Sequence, residues 1–479
     1  MPSTPLAPPL LAVAIGLALA GCAAPVAAPP PQVAPAWQSP LPHGGTVGEL
    51  RRWWAQFDDP LLARLIDAAE QASPTIASAG ARIAEAEARR IGANAALLPS
   101  LDASANAARG RQDLTLPLGT TASAELRASW ELDVFGGNRA ARDAATLRRD
   151  SADAQWHDAR VLVAADTANT YVSLRSCEAR LAQAQLDAAS RAETARLTEL
   201  SRRAGFESPA NAALARASAS QGQLLVRQQS EQCDQTVKAL VALTAIAEPE
   251  LRALLAAALA RVPEPTAIDV PSVPAAALAQ RPDVYARARE VAAASADIGE
   301  AEAARLPRVT LTGALGASHI EFDGGRFNGT LWSIGPIAVS VPLFDAGARR
   351  ANVVAAQARY DEATSAYAAT LRGAIRDVEN ALITLQGTAD RSADAQTAAD
   401  NFEISVRATE ARYRSGFGTL FELEDARRSA LAAQITLIEL RRERVAAWIS
   451  LYRALGGGWS EALDTRTAAN GPQLGAAQR

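Results

Sequence analysis

Thr121-Ala122-Ser123-Ala124-Glu125-Leu126-Arg127-Ala128-Ser129-Trp130-Glu131-Leu132-Asp133-Val134 is the stretch whose reading decides the fold. Ala122, Ala124, Leu126, Ala128, Trp130, Leu132 and Val134 alternate with Thr121, Ser123, Glu125, Arg127, Ser129, Glu131 and Asp133. A period of two sends these two sets to opposite faces of a β-strand. A strand this long, oily on one face and wet on the other, matches one that crosses a membrane between lipid and a lumen. The same alternation also fits a soluble sheet with one solvated face.

Working outward, Ser100 to Ala107 alternates in the same way, with Leu101, Ala103, Ala105 and Ala107 against Ser100, Asp102, Ser104 and Asn106. Pro117 and Gly119 mark the loop between the two runs, so the strands are expected at about 100–110 and 121–134. Before them, Asp59 to Ala96 reads as helix, with Leu62, Leu65, Ile66 and Ala69 at three-four spacing, until Pro99 stops it. After them, Asn138 to Arg203 contains neither Pro nor Gly, with Asn138 as the expected N-cap. At 1.5 Å per residue that run makes roughly 100 Å of helix. It halts at Arg203-Ala204-Gly205-Phe206, where Gly permits a left-handed turn, and resumes from Pro209 to Ile246.

Some 210 residues later the chain says the same thing again. Leu98-Pro99 returns as Leu306-Pro307, Phe135 as Phe344, Asp166 and Asn169 as Asp377 and Asn380, and Arg203-Ala204-Gly205-Phe206 as Arg414-Ser415-Gly416-Phe417. The second copy's strands are expected at about 308–318 and 331–343, with Pro336 and Pro342 weakening the latter. Its long helix begins after Asp345 and its return helix runs from Leu420 to Leu455. The chain therefore divides into repeat 1 (49–247), a Pro-rich linker (248–281), repeat 2 (282–456) and a tail (457–479). The fold class is mainly α with a transmembrane β-barrel contribution, each repeat holding a β-hairpin and a very long antiparallel helical hairpin. Four strands cannot close a barrel, and lipid tolerates no open strand edge, so several chains must share one barrel.

The first residues address the chain. Leu10 to Ala20 is apolar but too short to span a bilayer, which suits a signal-peptide core over 1–21. Leu19-Ala20-Gly21-Cys22 resembles the lipobox of bacterial lipoproteins, implying diacylation of Cys22 ahead of a Pro-rich leader over 22–48. No Lys or Arg precedes the apolar run, a departure from the usual signal peptide. Ala23 stands where an Asp would mark inner-membrane retention.

Other chemistry is thin. The net charge is −4, Lys238 is the one lysine, and the arginines alternate with acids instead of clustering, which argues against nucleic acid. His43, His157 and His319 are scattered, with no grouping at metal-ligand spacing. Gly324-Gly325 and Gly456-Gly457-Gly458 read as turn and tail, not as phosphate cradles. No enzyme, metal or cofactor is expected, the lipid on Cys22 aside. Cys177 and Cys233 each lie 28 residues from Gly205, hence at one height on an antiparallel hairpin, and are expected to pair as a disulfide. Their counterparts in the second copy, Thr388 and Arg444, cannot.

In this order and spacing, the chain resembles the TolC-like outer-membrane efflux factors, closest to the lipoprotein branch serving RND-type tripartite pumps. The resemblance rests on Leu41-Pro42-His43-Gly44-Gly45, on Trp53-Trp54-Ala55-Gln56-Phe57-Asp58-Asp59-Pro60-Leu61 and on the strand-to-helix junctions at Trp130–Gly136 and Val341–Asp345. Arg412-Tyr413-Arg414-Ser415-Gly416 and the segment from Glu422 to Arg427 complete it. It implies a homotrimer with a 12-strand outer-membrane barrel and a 12-helix periplasmic tunnel. The partners implied are a periplasmic adaptor, an inner-membrane pump and outer-membrane lipid. The function implied is passive export of small molecules. A periplasmic adaptor or scaffold lipoprotein is the alternative, disfavoured because an adaptor would carry one hairpin and Gly-rich lipoyl-like strands.

Spacing and resemblance together single out Glu422 and Asp425, i,i+3 neighbours on the return helix, as carboxylates of the periplasmic gate. Glu424 between them reads as solvated surface. Gly418 stands where some relatives carry an acid. The tips, Arg203, Gly205 and Phe206 with Arg414, Gly416 and Phe417, are the expected adaptor-docking residues.

Overall fold

The computed structural model describes residues 50–111, 118–256, 262–263, 278, 281–322 and 325–459. The expected signal peptide, Cys22, the leader, most of the linker and nearly all of the tail lie outside these residues. The described chain divides into two compact units. One is built from Gly80–Ala154 and Tyr285–Ala369, the other from 50–79, Gln155–Val284 and 370–459.

Each copy contributes a parallel set of elements. The first gives α1 (Pro60–Ala72), α2 (Pro74–Ala95), β1 (Ser100–Gly110), β2 (Gly119–Leu132), α3 (Gly137–Arg203) and α4 (Pro209–Thr244). A short α5 (Glu248–Leu255) follows, then α6 (Pro282–Ala303), β3 (Arg308–Phe322), β4 (Gly325–Ser340), α7 (Ala348–Arg414) and α8 (Leu420–Ala454). The duplication is now metric: α2 and α6 both have 22 residues, and α3 and α7 both have 67. The single helix expected from Asp59 to Ala96 is two, because Ser73 is extended at ψ 119° and Pro74 opens α2. Asp59 caps α1 by accepting from the Leu61 and Leu62 amides at 3.0 and 3.3 Å.

The first unit holds an antiparallel sheet in the order β1-β2-β3-β4, so β1 and β4 are its edges. Register carries one apolar row across all four strands, Ala103 beside Leu126, Leu315 and Trp332. The adjacent row, Asp102, Arg127, Ala314 and Ser333, begins with opposite charges facing each other. The apolar face is open: Trp332 is 73% exposed and Ile334 85%. Close strand approach explains one glycine, since a Cβ on Gly316 would meet the Ala124 carbonyl at 2.8 Å. β3 and β4 extend past the expected 318 and begin before the expected 331, while β4 stops two residues short of Pro342. It runs through Pro336 at the cost of a register shift opposite Leu311/Gly313, the irregularity that a residue lacking an N–H demands.

Strand gives way to helix by the same device twice. Asp133 accepts from the Asn138 and Arg139 amides at 3.1 and 2.9 Å and pairs with the Arg139 guanidinium. Asp345 accepts from the Gly347 and Arg349 amides at 3.0 Å each and pairs with the Arg349 guanidinium. The amide of Arg349 and the turn amide of Gly347 hold the Asp345 carboxyl below the usual carboxylate range. The cap of α3 is thus Asp133 and not Asn138, which already lies within the helix. An acid satisfying the first free amides also meets the positive end of the helix dipole.

The second unit holds the main core. Trp53 stacks on Tyr452 with ring centroids 5.4 Å apart and packs edge-on against Trp448 at 6.4 Å. Leu62, Leu65, Tyr171, Leu174, Leu382 and Ile449 close around them. Tyr171 donates to the Asp59 carboxylate at 2.6 Å, tying α1 to α3.

A buried charge sits at this core's edge. Arg281 reaches Asp283 at 2.7 Å, Asp377 at 3.7 Å and the Ala454 carbonyl at 3.1 Å. Burial pushes the nearby Asp158 carboxyl up, the Asp283 charge adds to this, and Arg281 and Arg453 oppose it. A raised carboxyl binds its proton more tightly folded than unfolded, so its contribution to stability is present at low pH. That contribution is lost as pH rises through the folded pKa. Asp158→Asn should therefore raise the melting temperature at pH 8 and change it little at pH 4. Equal shifts at both pH values would refute the charge argument.

Candidate functional site

The candidate site is the pair of hairpin tips, all within the second unit. Each long helix ends in the same motif. In the first, Phe206 N–H donates to the Ser201 carbonyl at 2.9 Å and Gly205 N–H to that of Arg202 at 3.1 Å. In the second, Phe417 N–H donates to the Arg412 carbonyl at 2.9 Å and Gly416 N–H to that of Tyr413 at 3.0 Å. This Schellman pattern needs a left-handed residue, met by Gly205 at φ 84° and Gly416 at φ 80°. The residue after that glycine usually packs back on its own helix. Here it does not: Phe206 is 87% and Phe417 81% exposed. Arg202 and then Arg203 hold the Glu199 carboxylate near the first tip down at about 2.

The return helices start on side-chain caps. Ser208 accepts from the Asn211 amide at 3.1 Å. Thr419 and Glu422 form a reciprocal capping box, Glu422 N–H donating to Thr419 Oγ1 at 3.2 Å and Thr419 N–H to Glu422 Oε2 at 3.1 Å. Glu422 thus has a structural task at the helix start. Asp425, three residues on, is exposed and lies 3.8 Å from Arg428.

The residue between them is the surprise. Glu424, read from the sequence as solvated surface, is 8% exposed and sits at the centre of an ionic network. Its Oε2 accepts from Arg191 of α3 at 3.0 Å and from the Ser218 hydroxyl of α4, and its Oε1 from Arg427 at 3.1 Å. Arg427, 4% exposed, also donates to Ser190 Oγ at 2.7 Å and Thr194 Oγ1 at 2.9 Å on α3, and lies 3.5 Å from Glu410. Arg191 is balanced by Asp187 at 2.6 Å. Nearer the tips, the Thr198 and Tyr413 hydroxyls share a hydrogen bond at 2.9 Å. The two hairpins are therefore joined by alternating buried charges, none left without an opposite partner. The local signal was present, since Glu424 and Arg427 are i,i+3, but their partners on α3 and α4 lie more than 200 residues upstream.

Cys177 and Cys233 are bonded, their Cα atoms 5.6 Å apart, both side chains inside the core. Among the described residues no group of His, Cys, Asp and Glu is placed to hold a metal, and no helix is long and apolar enough to cross a membrane.

Comparison with known proteins agrees with this architecture. The described channel OprN superposes with a TM-score of 0.81 at 26% identity, covering 91% of this chain and all of that one. The pyoverdine export outer membrane protein OpmQ of Pseudomonas putida is 31% identical over 94% of this chain and 98% of its own length. Outer membrane protein OprJ of Pseudomonas aeruginosa is 29% identical over 94% and 96%. The family model for outer membrane efflux proteins matches twice, at 65–245 and 273–457, once on each copy. The chain belongs to the outer membrane efflux protein family.

Proposed function

We propose that three copies of this chain form a passive exit duct, a 12-strand barrel across the outer membrane continued by a 12-helix periplasmic tunnel. The observation that carries this is the sheet: four antiparallel strands with two unpaired edges and one exposed apolar face. Unpaired backbone groups in lipid cost several kcal/mol each, so β1 of one copy must pair with β4 of the next. Three sheets of four strands close such a ring.

Within this reading Cys22 carries the lipid that anchors each copy. Phe206 and Phe417, with Arg203 and Arg414 beside them, meet a periplasmic adaptor coupled to an inner-membrane pump of the RND type. Asp425 and Glu422, repeated three times, place carboxylates around the periplasmic entrance. The Glu424–Arg427–Arg191 network holds neighbouring hairpins of one copy together, so widening the entrance requires it to rearrange. Cargo moves down its gradient, and the energy is supplied by the pump.

The duct reading is tested by native mass spectrometry from detergent, where a trimer is expected; a stable monomer in reconstituted bilayers would overturn it. Cys22→Ser should abolish incorporation of labelled palmitate while leaving the trimer intact. Palmitate retained by that variant would place the lipid elsewhere.

A further inference from the structure

Along most of the sheet one face is apolar and the other polar, but at the β3–β4 loop end the two exchange character. The face that carries Val309, Leu311, Leu315 and Trp332 ends in His319, Glu321, Arg326 and Asn328. These are mutually paired, His319 with Asn328 and Arg326 with Glu321 at 3.2 Å. The opposite face, which carries Thr310, Thr312, Ser318 and Ser333, ends in Ile320, Phe322 and Phe327, with Leu331 between. The two phenyl rings stack with centroids 5.6 Å apart, and Phe327 is 59% exposed. Gly119 stands directly opposite Phe322 on β2, where a Cβ would meet that of Phe322 at 3.4 Å.

Polar ends on the lipid face mark where the hydrocarbon stops, which is ordinary for a membrane strand. Apolar side chains on the lumen face at the same height gain nothing from lipid. In a three-copy barrel, β3 and β4 supply half of all strands, so these side chains project inward from half the circumference. Twelve strands spaced about 4.8 Å apart and tilted about 40° enclose a backbone ring roughly 24 Å across. Phenyl rings reaching in about 5 Å from three sectors, one per copy, leave a central opening about 14 Å across.

We propose that Ile320, Phe322, Phe327 and Leu331 of the three copies form an apolar collar at the outer mouth of the duct. It passes apolar solutes more readily than hydrated polar ones, because its walls offer apolar contact and no hydrogen-bond partner in place of water. This rests on the trimeric barrel reading, and its test separates the two.

Ser333→Cys places a thiol on the lumen face deeper than the collar. Intact cells carrying it are treated with a membrane-impermeant charged maleimide and, separately, with a small apolar one. Adding Phe322→Ser and Phe327→Ser should speed labelling by the charged reagent by up to about 1.5-fold, following the open area of a ring lined over half its circumference, and leave the apolar reagent unchanged. Equal rates with the charged reagent overturn the collar. Native mass spectrometry accompanies both proteins: trimers with equal rates refute the collar alone, whereas monomers refute the barrel and the collar with it. An independent variant, Phe327→Trp, should add fluorescence quenched by iodide and not by brominated lipid. Quenching by lipid would place this face outside the barrel and end the proposal.

Discussion

Arg427→Ala should release the ends of the hairpins from one another. It removes one member of a buried network and leaves Glu424 facing only Arg191 and Ser218, and Glu410 only Arg414. Losing that partner together with its bonds to Ser190 and Thr194 costs about 3 kcal/mol. The loss falls on local opening near the tips, so amide hydrogen exchange over the first turns of α8 should accelerate about a hundredfold. Arg428→Ala is the control, because the Arg428 side chain is 71% exposed and its contact with Asp425 is long. An exposed pair of that kind contributes at most a few tenths of a kcal/mol. Unchanged exchange in Arg427→Ala would show that the network carries no stability. Glu424→Gln should fall between the two, since an amide keeps one acceptor for Arg427 and Arg191 keeps Asp187.

The second large effect is expected from the covalent link. Replacing both Cys177 and Cys233 by Ala removes a bond closing a separation of 56 residues. The chain-entropy model assigns such a loop about 4 kcal/mol. Urea unfolding of the variant should shift to lower concentration by a corresponding amount, and reductant should shift the native protein likewise but not the variant. Mass spectrometry of unreduced tryptic peptides checks the premise; two free thiols in protein matured in the periplasm would remove it.

Much of this architecture is written in local patterns. The period-two runs in β1 and β2 give strand, face and length together, because alternation is a property of the backbone itself. The tips are equally legible: Arg-x-Gly-Phe occurs twice, and only a residue tolerating positive φ closes a Schellman turn. Equal distance from Gly205 places Cys177 beside Cys233 because antiparallel helices rise at the same rate. What local reading cannot supply is the azimuth of a helix against a distant partner. Glu422, Glu424 and Asp425 occupy adjacent positions on one helix, and spacing says which of them share a side. Nothing in their neighbourhood says that Arg191 and Ser218 wait for the middle one. The cap of α3 differs from the expected one for a similar reason, as Asp133 reaches forward five residues to do what Asn138 was expected to do. The stacked rings of Phe322 and Phe327 lie beyond the strand ends expected at 318 and 331, where period-two reading stops.

The two long helices have the same length, 67 residues each, and end in the same turn. They are levers of equal arm, inherited from one ancestral hairpin, yet only the first is riveted to its return helix. In the second, Thr388 and Arg444 occupy the matching positions, and the seam is bridged instead by side chains that can let go, Arg391 to Glu443 at 2.9 Å and Arg441 to Gln396 at 3.1 Å. A twist at the tips meets a covalent bond in the first seam and only ion pairs and hydrogen bonds in the second. Duplication gave the molecule two like levers, and one pair of sulfur atoms then made them unlike.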